Sequence, residues 1–179
     1  MSNSSFRTIP IRAPDDPKNP RPIAVASPSF ANGATIGNDF VFTGCGGKNQ
    51  SPELRWSGVP DGTKSFAITC FDPDAPTGSG YWHWVAFNIP AGVTSIAAGS
   101  GTTQSPAGGR NGYNDFGTTA YAGPCPPKGD SAHRYVFTVY ALDVESIEGA
   151  DETSTGATLI FLMRGHVLAT GTISGRFGH

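Results

Sequence analysis

Two acids and a histidine flank one turn of the chain, in the order Asp72-Pro73-Asp74-Ala75-Pro76, a Gly/Ser loop, then Tyr81-Trp82-His83-Trp84. The apolar runs Ser65 to Phe71 and Val85 to Ile89 on either side predict two strands whose adjoining ends bring these groups together. Pro73 and Pro76 restrict the backbone, so the acids sit on a rigid turn. Turn chemistry offers a second reading, in which Asp72 and Asp74 accept hydrogen bonds from backbone N–H groups. Strand alternation places Tyr81, His83, Val85 and Phe87 on one face and Trp82, Trp84 and Ala86 on the other, which also suits a core histidine.

A second constellation is Gly123-Pro124-Cys125-Pro126-Pro127-Lys128-Gly129, followed by His133-Arg134-Tyr135. A turn this rich in Gly and Pro leaves backbone N–H groups unpaired, and only Gly123, Cys125, Lys128 and Gly129 can donate here. On a strand, His133 and Tyr135 face one side and Arg134 the other. Together the two stretches supply two imidazoles, two carboxylates and a phenol. Beside two carboxylates, an anion is held only where an acid orients and charges a histidine while backbone N–H groups meet the ligand, so binding strengthens as pH falls. The same His and Asp residues can ligate zinc or manganese, but their spacing matches no dedicated motif, and neither a metal nor another cofactor is expected. Cys125 beside His133 offers a nucleophile and base for a weak hydrolase. Gly-x-Ser-x-Gly, the phosphate-binding P-loop and the dinucleotide fingerprint are absent, so non-enzymatic binding is the leading expectation, with no catalytic residue assigned.

The elements that must position these groups are short. The chain has 179 residues, with 24 Gly and 15 Pro, and its apolar runs are separated by Gly, Asn, Asp and Pro, the pattern of a mainly β sandwich or barrel. The clearest strands are Phe40 to Thr43, Ser65 to Phe71, Trp82 to Ile89 and Arg134 to Leu142. In the last of these both faces are apolar, which marks an interior strand. Helical spacing of Leu159, Leu162, Met163 and His166 predicts one C-terminal helix, capped by Ser154 or Thr155 and running through Leu168, with Thr170 to Ile173 as a short strand. Residues 91–119 have no sustained periodicity and read as a long loop, functional or disordered. Residues 1–22 read as a proline-rich N-terminal arm, and 23–179 as a single domain.

A net charge of −2 and scattered basic residues argue against nucleic acid as a partner. No apolar stretch approaches the length of a membrane span, and the cytoplasm is the expected compartment. Cys45, Cys70 and Cys125 are an odd set, read as free buried thiols, with pairing of Cys45 as the open alternative. The Gly-rich loop and the arm suit a homodimer crossing.

Taken in order, Ser51-Pro52-Glu53-Leu54-Arg55-Trp56, the Asp72-to-Pro76 box, His83-Trp84-Val85, Asn114-Asp115-Phe116-Gly117 and Gly123-to-Pro127 leading to His133-Arg134-Tyr135 are specific. On these motifs the chain resembles the phosphatidylethanolamine-binding proteins, also called Raf kinase inhibitor proteins, and most closely their bacterial branch, from about Ser27 to Phe177. The resemblance implies a Greek-key β-sandwich of a large and a small sheet with one C-terminal helix and few other short helices. It also implies a small pocket for phosphate or a phosphorylated headgroup, formed here by Asp72, His83, Gly123, Cys125, Pro126, His133 and Tyr135 with Asp74 in support. It further implies a cis Ala75–Pro76 peptide and, in some lineages, docking to a kinase or protease as an inhibitor.

Overall fold

The computed structural model describes residues 22–179, so the proline-rich arm lies almost wholly outside the described residues. Eight strands form two antiparallel sheets: β1 (Ala24–Ala26), β2 (Leu54–Ser57), β3 (Ser65–Asp72), β4 (Tyr81–Pro90), β5 (Ser95–Ile96), β6 (Arg110–Asn111), β7 (His133–Leu142) and β8 (Val167–Phe177). The small sheet has the order β1-β2-β5 and the large one β6-β4-β3-β7-β8. After the β3–β4 pairing the chain does not add β7 beside β4. It returns to pair β7 with β3, a Greek-key kind of crossing that puts the start of β7 beside the end of β3.

Burial explains the order. All eight residues of β3 are buried, so this strand needs partners on both edges and cover on both faces. On one face Phe66, Ile68 and Cys70 join Phe137, Val139, Trp84 and Ala86, and the small sheet covers them with Leu54, Trp56 and Ile96. On the other, Ala67, Val85, Phe87, Tyr140 and Leu142 are covered by Leu159 of the helix α1 (Gly156–Leu162), by Met163 at its C-cap and by Ile147.

The strands at Ser65 to Phe71, Trp82 to Ile89 and Arg134 to Leu142 form as the sequence predicts, and three other expectations change. Phe40 to Thr43 is not a strand but runs from the end of one 3-10 turn, Asn38–Phe40, into the start of another, Thr43–Cys45. Its amides bond locally and to the Pro124 carbonyl, and Gly46 at φ 83° turns the chain back. The helix is shorter than its apolar spacing suggests. Thr155 Oγ1 caps it by accepting from Thr158 N at 3.2 Å, and Gly165 at φ 87° begins the exit into β8, which takes Leu168 and the whole of Thr170 to Ile173 into one long strand. Residues 91–119 are ordered by a buried asparagine: Asn111 Oδ1 accepts from Trp84 Nε1 at 2.9 Å, while its Nδ2 donates to Thr103 O at 2.7 Å and Gly101 O at 3.2 Å.

β4 also departs from simple alternation. Cys70 pairs with Trp84 and Phe71 with Trp82, so His83 is the extra residue of a bulge. Beyond the bulge, Trp84 and Ala86 face the inter-sheet core and Val85 and Phe87 face α1. His83 nonetheless packs on Tyr135, a member of the inter-sheet core, so it does not share a face with Val85 and Phe87 as strict alternation requires.

At Gly156, the first residue of α1, an added Cβ would run into the Trp82 indole. Alanine is the better helix former by about 1 kcal/mol, yet overpacking costs about 1–3 kcal/mol. Gly156→Ala is therefore expected to lower the urea unfolding midpoint, and a midpoint equal to or above the parent's would show that the indole gives way.

Candidate functional site

At the end of the large sheet that carries the start of β7, Asp72 closes β3 with only 2% of its surface exposed. Its Oδ1 accepts from Asp74 N at 2.8 Å and its Oδ2 from His133 Nδ1 at 2.7 Å. The carboxylate can only accept, so Nδ1 of His133 carries a proton. Asp74 has turned outward. Its two oxygens take Arg134 Nη2 at 2.7 Å, Nε at 2.8 Å and the Arg134 amide at 2.9 Å. Hydrogen bonding to this guanidinium holds the Asp74 carboxyl below the usual carboxylate range. Asp74 thus rivets the β3–β4 turn to β7, and Arg134 faces away from His133 and Tyr135.

His83 is held by a carbonyl and not by an acid. Asp72 orients only His133; the His83 ring donates Nδ1–H to the Ala122 carbonyl at 2.7 Å. Nε2 of His83 makes no hydrogen bond among the described residues. Edge-on contacts with Tyr81, Phe116 and Tyr135 enclose the imidazole. Burial pushes its pKa below the usual imidazole value, against the opposing pull of the Ala122 carbonyl and the Asp72 charge. Tyr135 is wholly buried, and its Oη has no hydrogen-bond partner among the described residues. Burial and then the Asp72 charge push the phenol well above its ordinary value, so it stays a hydroxyl at any pH of interest.

The turn opposite is clamped from below by Asn49, which holds the left-handed φ of 54° that asparagine tolerates. Asn49 Oδ1 accepts from Gly123 N at 2.8 Å, its Nδ2 donates to Tyr121 O at 3.2 Å, and Phe42 N donates to Pro124 O at 3.1 Å. Gly123 is required because an added Cβ would strike the Phe40 and Phe42 backbone. Its N–H is spent on Asn49, so of the pocket-side donors expected from this turn, Gly123 is not one. The Cys125 amide is close to the Tyr135 phenol, where its dipole counters part of the burial effect. Pro126 is buried beside it, while Pro127, Lys128 and Gly129 are exposed.

Two expectations, one about each turn, are overturned. Cys125 is not a free thiol: it forms a disulfide with Cys45, with Cα atoms 5.6 Å apart, and only Cys70 remains free and buried. A half-cystine has no thiol to deprotonate, which removes Cys125 as a nucleophile. The Ala75–Pro76 peptide is trans, as are all others among the described residues. The turn closes instead through the Asp72 carboxylate on Asp74 N and through Thr77 N on Ala75 O at 2.8 Å.

Sequence reading missed three contributors. Asn49 gave no signal beyond its place among Gly and Lys. Asp115 pairs with Trp82 as a strand would, its N donating to Trp82 O at 2.9 Å and its Oδ2 accepting from Trp82 N at 2.7 Å, and this supports the bulge that presents His83. Asp130 Oδ2 lies 3.5 Å from His133 Nε2. The Asn114-to-Gly117 motif pointed to Asp115 by resemblance alone. Among the described residues no three His, Cys, Asp or Glu side chains converge as a metal site, and no helix is long and apolar enough to cross a membrane.

The model of the family described as phosphatidylethanolamine-binding protein matches residues 26–178. The UPF0098 proteins YbcL and YbhB of Escherichia coli K12 are each 47% identical over 155 residues, taking in 84% of this chain and 84% and 97% of theirs. A Mycobacterium tuberculosis relative with the provisional lipoprotein name LppC is 40% identical over 86% of this chain and 73% of its own. The crystal structure of E. coli YbcL, described as a new member of the mammalian PEBP family, matches with a TM-score of 0.84 at 44% identity, over 89% of this chain and 99% of that one. A Chlamydia trachomatis protein described as a homologue of the same family matches with a TM-score of 0.76 at 32% identity, over 88% and 98%.

The disulfide makes a direct prediction. In denaturant without reductant a thiol reagent is expected to titrate one cysteine, Cys70, and after reduction all three. Replacing both Cys45 and Cys125 by Ser is expected to cost about 2–4 kcal/mol, since the bridge closes a long loop. Three reactive thiols before reduction would refute the pairing.

Proposed function

Since the chain belongs to the phosphatidylethanolamine-binding protein family, we propose that it is a non-enzymatic ligand-binding protein whose pocket takes a phosphate-like anion or a phosphorylated headgroup. The observation that carries this reading is the Tyr135 hydroxyl, buried beside His83 with the Asp72 carboxylate and the Cys125 amide nearby but with no well-formed hydrogen bond among the described residues. Burying a hydroxyl unpaired costs about 1–3 kcal/mol, and a bound oxyanion would relieve that cost by accepting from it. His83 Nε2, His133 and the Cys125 amide supply the remaining contacts. With Asp74 fully engaged by Arg134, its part is to hold the frame.

One proton must accompany the anion. A neutral His83 has its Nδ1–H on Ala122, so Nε2 meets either a P–OH as acceptor or, once protonated, a dianion as donor. Both forms contain the same extra proton, and burial withholds it from the empty pocket. Falling pH supplies it, so affinity rises as pH falls, by at most tenfold per pH unit for one proton.

Calorimetric titration with inorganic phosphate and with phosphoethanolamine is expected to show binding that tightens about tenfold from about pH 7.5 to 5.5, and to vanish in His83→Ala. Absence of heat at both pH values would refute the reading. Tyr135→Phe separates ligand from scaffold: with its hydroxyl unpaired, the variant is expected to be as stable as the parent or more stable by about 1 kcal/mol, yet to bind phosphate about tenfold more weakly. A variant that loses stability and keeps its affinity would show that the hydroxyl serves the fold.

A further inference from the structure

We propose that Asp130 is a built-in competitor for the anion, a carboxylate that occupies the outward nitrogen of His133 until a ligand displaces it. The inference rests on the anion reading of the pocket and concerns how tightly that pocket can hold its ligand.

His133 is buried to 4% exposure between two acids. Asp72, at the end of β3, takes Nδ1 at 2.7 Å, and Asp130, on the turn leading into β7, faces Nε2 at 3.5 Å. The other charged groups near the ring are Asp74, which interacts with the His133 charge, and the Arg134 guanidinium that Asp74 binds. The two contacts differ in kind. Asp72 is enclosed and hydrogen-bonded through both oxygens, whereas the Asp130 side chain is 42% exposed and receives no other side-chain hydrogen bond among the described residues. Among the described residues the Asp130 backbone is tied by its N–H to Pro127 O at 3.3 Å and by no other hydrogen bond. At 3.5 Å the approach to Nε2 is an electrostatic contact longer than a hydrogen bond, so rotating Asp130 away breaks little.

Asp72 holds Nδ1, so Nε2 is the position of His133 left to face a ligand, and it donates there in the imidazolium form, with a proton on both nitrogens. An oxyanion seated there meets the Asp130 charge at close range, and the two negative groups cannot both face one N–H. Asp130 must therefore swing into solvent, and the empty pocket keeps its imidazole matched to an acid instead of leaving it bare. The position selects against weak anions: only a ligand that also gains Tyr135, His83 and the Cys125 amide outcompetes a tethered carboxylate.

Isothermal titration of inorganic phosphate into the full chain, its Asp130→Asn variant and its Asp130→Glu variant tests this. Asp130→Asn is expected to bind about three- to tenfold more tightly, the range for loss of one partly exposed competing contact, and Asp130→Glu to stay within about twofold of the parent. Repeating the titrations at about 0.5 M NaCl, where screening acts within a few ångströms, separates contact from distant repulsion; the Asp130→Asn gain should persist. Unchanged or weaker phosphate binding in Asp130→Asn, or a gain abolished by salt, would overturn the competitor role while the parent's binding leaves the anion reading standing. If neither protein binds phosphate, the anion reading falls and the competitor with it.

Discussion

The site depends on one buried carboxylate. Asp72 stands at the end of a strand whose residues are all buried, where a charge without partners would be strongly unfavourable. Its two oxygens are each satisfied from a different part of the chain, one by the turn that follows it and one by His133 at the start of β7. Those bonds bring the Asp-Pro-Asp turn and the segment after the Gly/Pro turn to the same end of the sheet and choose which nitrogen of His133 faces outward. The β3–β7 pairing makes the meeting possible, since Phe71 pairs with Val136 just inside the two polar residues.

Around that pair the structure uses rigid, local devices. Arg134 forks onto Asp74 and closes the outer side of the turn. The bulge at His83 turns its ring toward Tyr135, and Asp115 supports the bulge by bonding both backbone groups of Trp82. Asn49 and the Cys45–Cys125 bridge fix the opposite turn to the 3-10 segment beneath it. Each histidine is thereby committed through Nδ1, one to a carboxylate and one to a carbonyl, and the two are electrically unlike. His83 is held by a neutral dipole and is disfavoured as a cation by burial, whereas His133 has a carboxylate on either side. In the proposed anion pocket this pair would suit a ligand that brings or attracts a proton.

Much of this was legible in the residues. The apolar runs marked β3, β4 and β7 because interior strands show near-continuous hydrophobicity, and the same-side placement of His133 and Tyr135 followed from a period of two. The resemblance added the order in which the motifs converge. Alternation failed at His83 because a bulge inserts a residue without a composition signal. The helix was overextended because Leu162, Met163 and Leu168 keep an apolar rhythm across Gly165, and only backbone conformation shows that the rhythm changes from helix to strand there. An odd cysteine count concealed the bridge, since pairing depends on a Cα separation reached across 80 residues of sequence.

By itself the sequence determined the polar groups available, the strands that carry most of them and the prolines that stiffen their turns, because residue type and local periodicity act over a few neighbours. The tertiary structure alone decided which acid meets which histidine, that Gly123 gives its N–H to Asn49, that Cys125 is bridged and that the Tyr135 hydroxyl is buried without a well-formed hydrogen bond among the described residues. Those outcomes turn on angstrom-scale distances between segments far apart in the chain, which no local preference encodes.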